Sequence, residues 1–116
     1  MRDSSLNDKT RLLHILDAIS EIESYILNLD RPAFLENSLV RNATLMQIQI
    51  LGEAASHLSD PLKNQFPEIE WKQIRSTRNL IAHEYFGIDF EIVWNIALYK
   101  LPELKQQIRQ VLDTAF

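Results

Sequence analysis

Apolar residues recur along this chain at helical intervals. Leu12, Ile15, Leu16, Ile19, Ile22, Ile26 and Leu29 fall three or four apart, the spacing that lays one stripe along an amphipathic helix. Asp30-Arg31-Pro32 is expected to end that helix, the proline opening a short turn around Phe34 and Leu35. A second long helix is expected from near Ser38, with Leu39, Ala43, Met46, Ile50, Ala54 and Leu58 on one face and Leu45, Ile48 and Leu51 widening it. Gly52-Glu53-Ala54-Ala55 places small residues mid-helix, where a neighbouring helix can approach. Asp60-Pro61 reads as an N-cap and a first-turn proline, and Phe66-Pro67 closes that short helix. A third main helix carries Trp71, Ile74 and Leu80. Phe86-Gly87-Ile88-Asp89 interrupts it, with Gly87 as the stop and Asp89 as the next N-cap. The last helix holds Phe90, Val93, Trp94, Ala97, Leu98 and Leu101, is kinked or restarted at Pro102, and continues through Leu104, Ile108, Val111 and Leu112. The pattern predicts an all-α, up-and-down bundle of four main helices with short extra helices, in a single domain over 1–116.

Composition sharpens this picture. Two glycines in 116 residues suit helices, because the turns of β-rich folds consume glycine. A chain of this length buries roughly two-thirds of its unfolded surface, enough for a core without staples. There are no cysteines, which excludes disulfides, thiolate metal sites and a cysteine nucleophile. The opening Met1-Arg2-Asp3-Ser4-Ser5-Leu6-Asn7-Asp8 is polar, unlike a signal peptide, and no run approaches the roughly 20 apolar residues of a membrane span. A cytoplasmic protein is expected. Twelve Lys and Arg against sixteen Asp and Glu give −4, which argues against broad adhesion to nucleic acid. If such a chain handles RNA, it must concentrate its positive charge locally or borrow it from a second subunit.

The three histidines differ in their company. His14 sits between Leu13 and Ile15 and reads as a partly exposed helix residue. His57 follows Glu53 by four and shares its helical face, but no second such pair completes a di-metal site, so no metal and no cofactor are expected. His83 lies in a dense stretch with Arg75, Arg78, Asn79 and Tyr85. Asn79 and His83 are four apart and share a face. Arg78 and His83 are five apart, about 140° around a regular helix, and converge only if the helix distorts or two copies meet. Taken alone, this pattern fits either a solvated helix end with a capping histidine or a sparse catalytic site. The chemistry of the second reading is definite. Metal-free RNA cleavage needs a group that takes the 2′-OH proton and one that protonates the leaving oxygen, and histidine suits both. It also needs fixed positive charge beside the phosphate, which an arginine fork supplies. Ser4, Ser76 and Thr77 have no partners suggesting a nucleophile triad, and there is no glycine-rich phosphate loop.

The stretch Arg78-Asn79-Leu80-Ile81-Ala82-His83-Glu84-Tyr85 resembles the R-x4-H-x-Y signature of HepT toxins in the HEPN superfamily. Further segments match in order: Arg11 to Ile19, Ile50-Leu51-Gly52-Glu53-Ala54-Ala55, Phe66 to Trp71, Tyr85 to Asp89, Val93-Trp94 and Leu101 to Leu104. Ser76-Thr77 departs from the glycine and apolar residue of many relatives, which bears on local packing. The resemblance implies a helical domain that forms a homodimer, with two motifs in a shared cleft, and a metal-independent endoribonuclease carried by Arg78 and His83 and assisted by Asn79. It further implies a minimal nucleotidyltransferase (MNT) antitoxin as partner, which adds AMP to Tyr85 and silences the toxin. Tyr85 is then expected to be solvent-reachable, unlike Tyr25 and Tyr99 within the bundle; an ordinary interface tyrosine is the alternative. A non-catalytic nucleotide- or protein-binding dimer is the competing function. Nothing in the sequence selects transfer RNA over messenger RNA.

Overall fold

The computed structural model describes residues 4–77 and 87–116. All the described elements are helices. They are α1 (Ser4–Ile26), α2 (Arg31–Glu36), α3 (Ser38–Ser56), α4 (Asp60–Gln65), α5 (Trp71–Ser76), α6 (Phe90–Asn95), a π-helical stretch (Ile96–Lys100) and α7 (Leu101–Ala115). The chain is thus an all-α bundle, as the periodicity predicts. Helix α1 packs along α3 and α7, α5 packs on α3, and α2 bridges α3 and α6. Among the described residues no helix is long and apolar enough to cross a membrane.

The core takes Leu12, Ile15, Ile19 and Ile22 from α1, Leu45, Ile48 and Leu51 from α3, and Ile108 and Val111 from α7. Fully burying each such side chain is worth about 1.5–3 kcal/mol, so these rows hold the long helices together. Gly52, Ala54 and Ala55 are all buried, at the stretch of α3 where small residues are expected to admit a neighbouring helix. Pro102 stands in the first turn of α7, immediately after the π stretch, so the helix restarts there rather than breaking.

Several expectations need correction. The first helix stops at Ile26, short of Leu29, because Asn28 takes φ 69° and Leu29 N–H bonds back to the Ile26 carbonyl at 2.9 Å. Asparagine is among the few residues that enter the left-handed region readily, so it stops the helix before the aspartate-proline signal. The turn foreseen around Phe34 is helix α2, capped by Asp30, whose carboxylate accepts from Ala33 N–H at 3.0 Å. Asp60 is not the cap of α4. Ser59 is, its hydroxyl accepting from Leu62 N–H at 3.4 Å. The buried Asp8 of α1 fixes that serine, accepting from its N–H at 2.9 Å and its hydroxyl at 2.6 Å.

The largest correction concerns α3. Of the face expected to enter the core, Leu39, Met46 and Ile50 point outward, being 78%, 55% and 42% exposed, while its C-terminal members Ala54 and Leu58 are buried as expected. The core contact is made by the flank, Leu45, Ile48 and Leu51. Helix α3 therefore carries apolar residues on two faces, and among the described residues only one of them is covered along its length.

Candidate active site

Arg78, Asn79, His83 and Tyr85 all lie in 78–86, outside the described residues, as does the helix end that Gly87, itself described and exposed, is expected to stop. The structure defines how the chain enters that segment and how it leaves it.

Entry is through α5, which is anchored at its start. The indole N–H of Trp71 donates to the Phe66 carbonyl at 3.0 Å within the buried base, which also fixes the Phe66-Pro67 corner. Ile74 packs against the core and the Thr77 hydroxyl donates to its carbonyl at 2.6 Å. No side chain caps the N-terminus of α5, so packing of Trp71 positions this helix more than capping does.

Exit is through α6. Asp89 caps it as predicted, its carboxylate accepting from Glu91 N–H at 2.9 Å. Trp94 of α6 packs on Phe34 with ring centroids 5.1 Å apart and the rings tilted by 40°, both being buried. Arg31 pairs with Glu91, and the Arg41 guanidinium lies over the Phe90 ring at 5.0 Å while donating to the Leu35 carbonyl. Two aromatic contacts and an ion pair thus tie the receiving helix to α2 and α3. Both flanks of the motif are held by tertiary packing, the condition under which catalytic groups keep their geometry.

Beside these flanks runs a groove of about 500 Å³ between α3, α5, the α6–π segment and α7. Ile48, Leu51, Ile74, Ile92 and Ile96 make its lining largely apolar, and Ser76 and Thr77 lie at the point where the chain passes into the motif. Tyr99 lines it too and is 68% exposed, against the expectation that it is buried. Tyr25 is half-buried, its hydroxyl accepting from the Gln47 amide at 3.2 Å. The exposed Ile92 and Tyr99, like the outer stripe of α3, were not foreseen as surface. The signal was present in the sequence as more apolar positions than one face of a helix can bury.

His14 is exposed, as read from its position. His57 and Glu53 do meet, at 2.9 Å, on the outer face of α3. Among the described residues no group of three or more His, Asp or Glu side chains could hold a metal ion.

The family model described as "Ribonuclease HepT-like" matches residues 15–111, most of the chain and all of the motif. A protein of Methanocaldococcus jannaschii named "Putative RNase" is 29% identical over 89% of this chain and 94% of its own length. A "Putative RNase" of Caldanaerobacter subterraneus is 28% identical over 88% of this chain and 91% of its own. A "Probable ribonuclease HepT" of Thermococcus cleftensis is 28% identical over 89% of this chain and 94% of its own. No solved structure matches. With its all-α fold and the R-x4-H-x-Y string in place, the chain belongs to the HepT-like ribonuclease family of the HEPN superfamily.

Proposed function

We propose that this protein is a metal-independent endoribonuclease toxin that cleaves RNA as a homodimer, with Arg78 and His83 as its catalytic residues. The observation that carries the reading is the Arg78-Asn79…His83…Tyr85 string inside a chain that matches the HepT-like model over residues 15–111. His83 moves protons between the ribose hydroxyl and the leaving oxygen, and Arg78 offsets charge on the phosphate. Asn79 orients the imidazole or the substrate by hydrogen bonding.

Two physical points favour a dimer. Arg78 and His83 diverge by about 140° on a regular helix, so two copies of the motif make a site that one straight helix does not. The outer stripe of α3, Leu39, Met46 and Ile50, is the kind of apolar surface that isologous two-fold contacts cover.

Regulation follows the family pattern in this proposal. A minimal nucleotidyltransferase antitoxin transfers AMP to the Tyr85 hydroxyl, expelling pyrophosphate from ATP. The added phosphate brings negative charge beside His83 and repels RNA. The deciding experiment is incubation of purified protein with total RNA in EDTA, alongside intact-mass measurement. Cleavage by unmodified protein is the expected result. No cleavage by protein shown to lack AMP would move the assignment to a non-catalytic HEPN binding dimer.

A further inference from the structure

The chain is acidic overall, yet one concavity of its surface has a wholly basic set of charges among its described lining residues. Lys63, in the last turn of α4, and Lys72 and Arg75, on α5, surround a cavity of about 180 Å³ backed by Ala55 and Trp71. Three helices therefore contribute, and the arrangement exists only once α3, α4 and α5 have packed.

Helix electrostatics account for part of it. Lys63 and Arg75 stand in last turns, where a cation offsets the carbonyl end of the helix. Lys72 stands in the first turn of α5, where the same dipole opposes it. The Lys63 side chain is only 19% exposed, and its ion pair with the exposed Asp60 is long, at 3.7 Å. Such a pair contributes little. Gathering three like charges around one hollow raises their mutual repulsion, which a bound anion relieves.

The geometry also selects the kind of anion. Trp71 is 9% exposed and its N–H is already bonded to the Phe66 carbonyl, so no aromatic face is offered for base stacking. What the hollow offers is charge and guanidinium donors, the recognition set for phosphate oxygens. Lys72 and Arg75 are three apart and share a helix face, and Arg78 follows at the same interval in the sequence.

We propose that Lys63, Lys72 and Arg75 form a phosphate-binding pocket that holds the RNA backbone beside the scissile linkage. The proposal rests on the ribonuclease reading for the identity of the polyanion. The three residues are positioning residues. They touch phosphate and no base, so they fix register on the strand without reading sequence. They also resolve how a chain of net charge −4 holds RNA: the positive charge is collected on α4 and α5, ahead of the motif in the sequence.

The test compares the parent with the triple variant Lys63→Gln, Lys72→Gln, Arg75→Gln, and reads both binding and cleavage. Binding of a single-stranded RNA is titrated across salt in a His83→Ala background. Loss of three phosphate contacts should flatten the slope of log K against log salt by about 2. In the His83-containing protein, KM should rise roughly tenfold or more while kcat stays within about twofold, because the reacting atoms are untouched. If the triple variant melts early, the pair Lys72→Gln, Arg75→Gln at exposed positions should flatten the slope by about 1–1.5. Arg75→Lys keeps the charge and should keep the slope.

An unchanged slope and KM in a variant that still cleaves RNA overturns the pocket and leaves the ribonuclease reading standing. A parent that binds RNA through these residues without cleaving it supports the pocket and overturns the ribonuclease reading. A parent that neither binds nor cleaves RNA overturns both. Unchanged RNA binding with lost affinity for a protein partner assigns the cations to an acidic protein surface and also overturns the proposal.

Discussion

Phe34 projects from the short helix α2 onto the helix that receives the chain from the motif, and Phe34→Ala probes how firmly that helix is held. The side chain is fully buried and its ring sits 5.1 Å from that of Trp94. Truncating a buried phenylalanine to alanine costs about 3–5 kcal/mol, transfer and cavity terms together. The lost aromatic contact, worth about 0.5–1.5 kcal/mol on its own, places this site in the upper part of that range. Domains of this size are stable by about 5–15 kcal/mol, so the variant should fold with a much smaller margin. With a urea dependence of about 1.5 kcal/mol per molar, the unfolding midpoint should fall by roughly 2.5–3.5 M. Phe34→Leu keeps most of the volume and should lose less than about 1 M. The exposed Leu27→Ala should stay within about 0.5 kcal/mol of the parent. Far-ultraviolet circular dichroism in urea reads all three, at one protein concentration because assembly contributes to apparent stability. A midpoint for Phe34→Ala within roughly 0.5 M of the parent would refute the reasoning, since the packing around Trp94 would then not depend on the ring.

His83→Ala and Arg78→Ala should each abolish RNA cleavage while leaving the circular dichroism spectrum and melting unchanged; a fully active, well-folded His83→Ala protein removes that residue from the mechanism. Met46→Glu with Ile50→Glu sets like charges on the outer face of α3 and should convert a dimer to monomer in sedimentation at micromolar concentration without lowering helicity. A double variant that sediments like a dimeric parent would move the interface elsewhere. Asp8→Ala leaves the Ser59 N–H without its carboxylate and should cost about 1–3 kcal/mol, seen as earlier unfolding in urea. Tyr85→Phe should fold and remain toxic when the antitoxin and ATP are present; full neutralisation of that variant would show that regulation does not run through this hydroxyl.

Helix identity and order were legible in the sequence because the apolar spacing is strong in α1, α3 and α7, and because prolines and aspartates mark several helix starts. Asp89 and Pro102 act where the local signals put them. The motif residues were legible as a string, and the family match spans them, but their arrangement in space is a tertiary property that spacing does not contain. Arg78 and His83 illustrate this: their angle on a regular helix says that a shared site would need something to bring them together, and not what.

Local pattern failed where two answers had equal local merit. Ser59 and Asp60 are both good N-caps, and the choice fell to Ser59 because Asp8, far away in sequence, binds it. Asn28 ended α1 early through backbone geometry that the apolar stripe runs straight past. On α3 the sequence determined that apolar residues occupy more than one face. Which face enters the core was decided by where α1 and α5 pack, and along most of α3 it is the face with Leu45, Ile48, Leu51, Gly52 and Ala55, where small side chains let the neighbouring helices come close. The stripe of Leu39, Met46 and Ile50 was left outside for the same reason: helical periodicity fixes which residues share a side, while only packing fixes which side is covered.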